Sequence, residues 1–257
     1  MRQIKQRFEK YDFDVLLLEG SYVSDPNVRR AVIEDGNDRC SVEEYASRYF
    51  RRQGYSALRV ENEPIAALFG VFMSPLIQDA SDPHGRMIGV GDSFAFDAGT
   101  QGKIIWTRLP DDFGKPVYGV RRAAAINDHL RTITGQSHQL RRLFDVWLGP
   151  SEDLRQYLWG HRSEQIQVAR QLIDILPSGS ILEMLRYLVE DYWARRSGWP
   201  DLLIFNEKEL FFAEIKSERD KLGKNQQRWL RDNQERLQFP FKLVEVRRME
   251  LQAEAGT

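Results

Sequence analysis

Cysteine is nearly missing from this 257-residue chain: Cys40 stands alone, so no intramolecular disulfide can form. A reduced, cytoplasmic setting is expected, nucleoid-associated if the source is bacterial. Long apolar runs are missing too, and no stretch approaches the roughly 20 residues that span a bilayer. The amino terminus, Met1-Arg2-Gln3-Ile4-Lys5-Gln6-Arg7, runs into Glu9, Lys10 and Asp12 instead of an apolar signal core, so no membrane partner is expected. Charge of one sign is not in excess, with 37 basic against 38 acidic side chains and a formal net charge of −1. Affinity for a polyanion must therefore come from local clusters of Lys and Arg. The four histidines, His84, His129, His138 and His161, are too dispersed for a zinc signature and have no cysteine pair. Gly89-Val90-Gly91 lacks the third glycine of a dinucleotide loop, and Gly99-Thr100-Gln101-Gly102-Lys103 is followed by Ile104 where a nucleotide-binding loop needs Ser or Thr. No G-x-S-x-G spelling points to a serine nucleophile.

What is present is material for a core: 42% hydrophobic residues, with 14 Phe, 9 Tyr and 6 Trp, against 29% charged. Ser41-Val42-Glu43-Glu44 is spelled as a capping box, followed by Tyr45, Tyr49 and Phe50 at helical spacing, and Gly54 can close that helix with a left-handed residue. Ser180-Ile181-Leu182-Glu183 is a second box, with Leu185, Leu188, Val189, Tyr192 and Trp193 as its stripe and Gly198 beyond. Between them the pattern predicts a short helix after Pro64 (Ile65 to Met73), an irregular stretch from Gln78 to Gly102, a strand at Ile104-Ile105-Trp106, and helices through His129 to Trp147 and Glu152 to Leu176. After Gly198, Asp201-Leu202-Leu203-Ile204-Phe205 and Leu210-Phe211-Phe212-Ala213-Glu214-Ile215-Lys216 flank the polar turn Asn206-Glu207-Lys208-Glu209 and read as a β-hairpin. A helix centred on Trp229 and Leu230 and a strand from Phe241 to Val246 complete an α/β core.

If the hairpin folds about the middle of its turn, Phe205 faces Leu210 and Asp201 faces Glu214. Directly opposed side chains on such strands have Cβ atoms about 4.5–5.5 Å apart, and like charges there are destabilising. Lys216 shares the face of Glu214, because side chains alternate along a strand. A divalent cation resolves the conflict, since Mg²⁺ and Mn²⁺ prefer hard carboxylate oxygens. The bland alternative is a solvated hairpin edge with an accidental spacing.

The spelling Pro200-Asp201, then Glu214-Ile215-Lys216, is the PD-(D/E)xK nuclease pattern. Ser197-Gly198-Trp199-Pro200-Asp201-Leu202-Leu203 followed by Ala213-Glu214-Ile215-Lys216-Ser217-Glu218-Arg219-Asp220-Lys221-Leu222 and the helix Lys224 to Leu230 resembles the VRR-NUC nuclease family. Val42-Glu43-Glu44, Gln53-Gly54-Tyr55 and Glu61, ahead of Leu68-Phe69-Gly70, look like the start of the nuclease module in the Fanconi-associated branch. The resemblance runs from about residue 41 to 248, loosely between about 77 and 180. It implies that Glu61, Asp201, Glu214 and Ile215 hold Mg²⁺ or Mn²⁺, that Lys216 acts on the water or the scissile phosphate, and that Gln226 matches the helix glutamine of the motif. Glu63 competes with Glu61 as a helix cap before Pro64, and Gln226 could equally be a solvated helix residue. The family's Gly-Pro after the lysine is Ser217-Glu218 here.

Arg195, Arg196, Arg219, Lys221, Lys224 and Arg228 flank the site as candidate DNA contacts, and residues 195–248 hold thirteen basic against nine acidic side chains. Arg121-Arg122 and Arg141-Arg142 are further basic pairs. The fold expected is a restriction-endonuclease-like α/β core with a large helical amino-terminal region. Its divisions are 1–40, of unknown role; 41–180, mainly helical; 181–250, the nuclease core; and 251–257, a tail. The resemblance implies a metal-dependent nuclease acting on flapped, branched or junction DNA in repair or recombination, with a homodimer or a partner protein as an option. A phage-defence or mobile-element nuclease, and a non-catalytic binding module on the same fold, are the alternatives.

Overall fold

The computed structural model describes residues 13–24, 32–91, 104–159 and 163–249. In chain order, strands β1 (Asp14–Val23), β2 (Val32–Asp35) and β3 (Asp38–Cys40) precede helix α1 (Val42–Arg52), strand β4 (Ser56–Arg59) and helix α2 (Glu63–Ile77). The hairpin strands β5 (Gly85–Gly91) and β6 (Ile104–Pro110) follow. Then come helices α3 (Pro116–Arg121), α4 (Ala123–Thr132), α5 (Ser137–Leu148), α6 (Arg155–Leu158), α7 (Ser163–Ile175), α8 (Ser178–Glu190) and α9 (Tyr192–Arg195). Strands β7 (Leu202–Phe205) and β8 (Leu210–Ser217), helix α10 (Lys224–Asp232) and strand β9 (Phe241–Arg248) end the fold. The chain forms two compact units, one of Met1–Val60 with Pro200–Thr257 and one of Glu61–Trp199. Among the described residues no helix is long and apolar enough to cross a membrane.

The first unit is a seven-stranded sheet in the order β3-β2-β1-β9-β8-β7-β4. β1, β9 and β8 run parallel to one another, and the remaining neighbours are antiparallel. A parallel pair needs a crossover, and α10 supplies it between β8 and β9. One face packs on α1 through Val42, Ala46 and Phe50, with Leu18, Ile204, Phe211, Ile215, Val244 and Val246 from the strands. Ser41 caps α1 by accepting from the Glu44 amide at 3.3 Å, and Gly54 follows its end at φ +84°. The alternate residues face α10, where Trp229 packs edge-on to Phe212 at 6.1 Å and against Phe241 at 5.6 Å. β8 and β9 are covered on both faces, which is why they read as nearly continuous apolar runs.

The second unit is built around α2, in which Ile65, Ala67, Leu68, Phe69, Val71, Phe72 and Met73 are all buried. A helix that is apolar all round belongs in the middle of a helical cluster. Phe69 stacks on Tyr192 at 4.9 Å, and Phe72 meets Phe144 edge-on at 5.6 Å.

Several expectations need correction. The helical part is an insertion between β4 and β7, not an amino-terminal region. The first sixty residues instead supply four strands and α1 to the sheet, so the stretch 1–40 carries β1, β2 and β3. Val15 to Leu18 is too short an apolar run for periodicity to assign, and its partner β9 lies more than 200 residues away. Accordingly the units divide at Val60 and Pro200 rather than at 41 and 181. The Ser180 box does not start α8, which begins at Ser178 behind Pro177 with no side-chain cap. The fixed φ of proline sets that start two residues earlier. The stretch from Gln78 to Gly102 contains β5, whose three glycines hide a strand paired along its whole length with β6. The Gly99 to Lys103 loop, His161, the 251–257 tail and residues 1–12 lie outside the described residues.

Candidate active site

The hairpin forms in the register that pairs Phe205 with Leu210 and Leu202 with Ala213. Asp201 is the next residue out. Its backbone carbonyl accepts from the Val60 amide at 3.0 Å, and its Oδ2 accepts from the Ile215 amide at 2.7 Å, so the side chain reaches across to β8 beside Glu214. Glu214 is 2% exposed. A bare carboxylate cannot stay charged at that depth, and the chain answers with two donors on the same oxygen. Lys216 Nζ lies 2.6 Å from Glu214 Oε1, and Gln226 Nε2 donates to it as well. Gln226 is itself oriented, because its Oε1 accepts from the Gly223 amide at 2.8 Å at the start of α10. The conflict expected between opposed acids is thus relieved inside the protein, by an ammonium on one acid and a backbone amide on the other.

Burial works to lower the pKa of Lys216, but the Glu214 carboxylate outweighs it, helped by Asp201 and Asp220, and holds the lysine above its ordinary value. The lysine is thus held as an ammonium against the Glu214 carboxylate. Two carboxylates, Asp201 on the Ile215 amide and Glu214 on Lys216 and Gln226, offer the hard oxygen donors that suit a divalent cation.

The turn after Lys216 departs from Gly-Pro but is not loose. Asp220 Oδ2 accepts from both the amide and the hydroxyl of Ser217, at 3.0 and 2.7 Å. Sequence reasoning missed Glu245, which is 3% exposed and is the register partner of Lys216 on β9, with Arg247 Nε at 3.4 Å. The available signal was a lone acid between Val244 and Val246 in an apolar strand.

Of the expected phosphate contacts, Arg219, Lys221 and Lys224 are exposed and Arg228 is half-buried, all on the turn and helix after β8. Arg228 donates to Asn225 at 2.8 Å. Arg195 and Arg196 belong to the second unit. Arg195 pairs with Glu190 at 2.7 Å, donates to the Tyr187 carbonyl and lies over the Tyr187 ring at 4.5 Å, so its guanidinium is occupied structurally. Arg196 is exposed and lies 5.2 Å over Trp193.

Glu61 is also in the second unit, exposed, with Oε1 accepting from Asn62 at 3.2 Å; it follows Val60, whose amide bonds to Asp201. Glu63 is the first residue of α2, with Pro64 behind it, and Asn62 is the cap residue at φ +53°. Arg121 binds Asp82 and Asp112, and Arg122 pairs with Asp79, so these arginines are structural. Arg141 pairs with Asp174 at 2.6 Å.

Among the described residues, one cluster of three metal-type side chains lies close together, His84, Asp111 and Asp112, brought together by the pairing of β5 with β6. Sequence reading set His84 aside because the four histidines are dispersed and have no cysteine pair, and Asp111 and Asp112 lie 27 and 28 residues further along the chain. The acids are already matched by guanidinium: Arg121 donates to both oxygens of Asp112 at 2.7 Å, and Arg86 lies 3.7 Å from Asp111. Half-buried His129 is held below its ordinary pKa by desolvation and bonds the Phe72 carbonyl at 2.7 Å, a packing role.

Comparison with known proteins bears on the family and the fold. The family model of the VRR-NUC domain matches residues 136–248. Fanconi-associated nuclease 1 of Ailuropoda melanoleuca is 26% identical over 74% of this chain and 18% of its own length, and the Caenorhabditis briggsae homolog 26% over 81% and 23%. The chain thus spans about a fifth of the length of these curated relatives. The structure of paFAN1 bound to DNA with a two-nucleotide 5′ flap and a gap superposes with a TM-score of 0.66 at 23% identity, over 94% of this chain and 38% of that one. Residues 136–248 of this chain thus match the VRR-NUC nuclease domain, and the chain is similar to the Fanconi-associated nucleases.

Proposed function

We propose that the protein is a Mg²⁺- or Mn²⁺-dependent nuclease that hydrolyses DNA phosphodiesters and selects flapped or branched DNA, as in repair or recombination. The observation that carries the reading is the convergence of Asp201, Glu214, Lys216 and Gln226 at one end of the hairpin. Asp201, Glu214 and the Ile215 main chain would hold the cation, with Glu61 as the additional acid. Such a cation supplies charge against the phosphate and a water acidic enough to attack it. Gln226 keeps Glu214 in one rotamer, so the acid needs no reorganisation on binding. Lys216, charged, donates to a phosphoryl oxygen or holds the attacking water. Arg219, Lys221, Lys224 and Arg228 offer positive charge to the flanking phosphates. The flap-bound relative supports the choice of substrate.

The test is cleavage of labelled flap, junction and single-stranded DNA with Mg²⁺ or Mn²⁺, repeated with Glu214→Gln and with chelator. Cleavage of flap or junction DNA that both controls abolish is expected. Cleavage that persists in both would overturn the mechanism, and tight binding without cleavage under either metal would leave a binding module.

A further inference from the structure

Residues 217–223 join the strand that carries Glu214 and Lys216 to the helix that carries Gln226, and this turn is tied down at both ends. At its start Asp220 takes the Ser217 amide and hydroxyl on one oxygen, and the Asp220 amide returns a bond to the Ser217 carbonyl at 3.1 Å. At its end the Gly223 amide is held by Gln226, Gln227 donates to the Leu222 carbonyl at 2.8 Å, and the Leu222 side chain is buried. Between the ties Arg219 and Lys221 point into solvent. Tyr22, on β1, closes the side. Its hydroxyl donates to the Val246 carbonyl at 2.7 Å, and Val246 is the register partner of Ser217. A Glu218 backbone hydrogen bond to the same hydroxyl sets Tyr22 beside the turn, and burial, then the charges of Asp220 and Glu218, raise its pKa to about 12.

We propose that Asp220 is a positioning residue for DNA: it fixes the turn so that Arg219 and Lys221 meet backbone phosphate at a set distance from Glu214 and Lys216, with Tyr22 bracing it from the amino-terminal strand. The proposal rests on the nuclease reading above. A turn ordered before binding does not lose its backbone freedom when phosphate arrives, so the gain appears as affinity. Ser217, where the family has glycine, supplies the hydroxyl for the second bond to Asp220. The departure from Gly-Pro is therefore a different way of stiffening the same turn.

Asp220→Ala removes the acceptor, whereas Asp220→Asn keeps an oxygen acceptor and removes the charge. With flap DNA, Asp220→Ala is expected to raise KM about tenfold with kcat within about twofold, and Asp220→Asn to stay within about threefold of wild type in both. Ser217→Ala should shift KM in the same direction by less. Amide hydrogen exchange at Ser217 should accelerate in Asp220→Ala and not in Asp220→Asn, with melting temperatures reporting that both fold. An unchanged KM in Asp220→Ala overturns the proposal, as does an equal loss of kcat in both variants, which would put the charge of Asp220 at the chemistry through Lys216. If the wild-type chain cleaves no DNA, the nuclease reading fails separately. The turn is then judged on exchange and DNA affinity: faster exchange with weaker binding in Asp220→Ala upholds it, and no change in either sinks it.

Discussion

Lys216 Nζ lies 2.6 Å from Glu214 Oε1, two residues away on the same strand and the same face, at 12% and 3% side-chain exposure. A pair this deep is stabilising only as a pair, because removing one partner leaves the other charge desolvated. Lys216→Met should lower unfolding free energy by about 3 kcal/mol in metal-free protein. Lys216→Met with Glu214→Gln should recover most of it. Urea unfolding of wild type, Lys216→Met, Glu214→Gln and the double variant measures the coupling, and additive losses would mean that the contact carries no energy.

Gln226 links Glu214 to the first turn of α10. Gln226→Ala is expected to cost about 1 kcal/mol, the scale of a lost helix cap. It should lower kcat for flap DNA while leaving KM close to wild type, since it touches the acid and not the phosphate-facing side chains. A shift in KM alone would assign Gln226 to substrate binding instead.

The second unit should be acid-sensitive. Hydrogen bonds from Ser81 and then Arg122 hold the Asp79 carboxyl down to about 2, and Asp82 and Asp112 are lowered as well, with Arg121 prevailing over the burial of Asp82. A carboxylate depressed in the folded state contributes stability that is fully present above its unfolded value, about 3.9, and is lost as pH falls through the folded value. Melting temperature should therefore drop between about pH 4 and about pH 2, and Arg121→Met should flatten that slope. A slope unchanged by the substitution would show that other groups carry it.

Gly70 in α2 faces Trp159, and a Cβ there would lie 2.8 Å from the Trp159 Cδ1. Alanine is the better helix former by about 1 kcal/mol, but the Trp159 ring is 6% exposed and has little room to move. Overpacking should win, with Gly70→Ala destabilising by about 1–2 kcal/mol in thermal or urea unfolding. A neutral result would mean that the indole shifts at little cost.

The hairpin register, the helix cap at Ser41 and the neighbourhood of Asp201, Glu214 and Lys216 were legible in the sequence, because each depends on residues close along the chain. A turn fixes which side chains face each other, and alternation fixes which share a side. The pattern of short apolar runs and helical stripes after Gly198 carried the α/β character, and the charge balance carried the need for a local basic cluster. The sequence did not show that β1 joins β9 across more than 200 residues, since a short apolar run carries no address for its partner. Nor did it show that the helical part interrupts the sheet, or that Arg195, Arg121 and Arg122 are occupied by ion pairs while Arg219 and Lys221 stay exposed. The state of Lys216 was likewise decided only in three dimensions. Whether a lysine beside an acid is a base or an ammonium depends on burial and on every charge around it, and those are set by strands that meet only when the chain is folded.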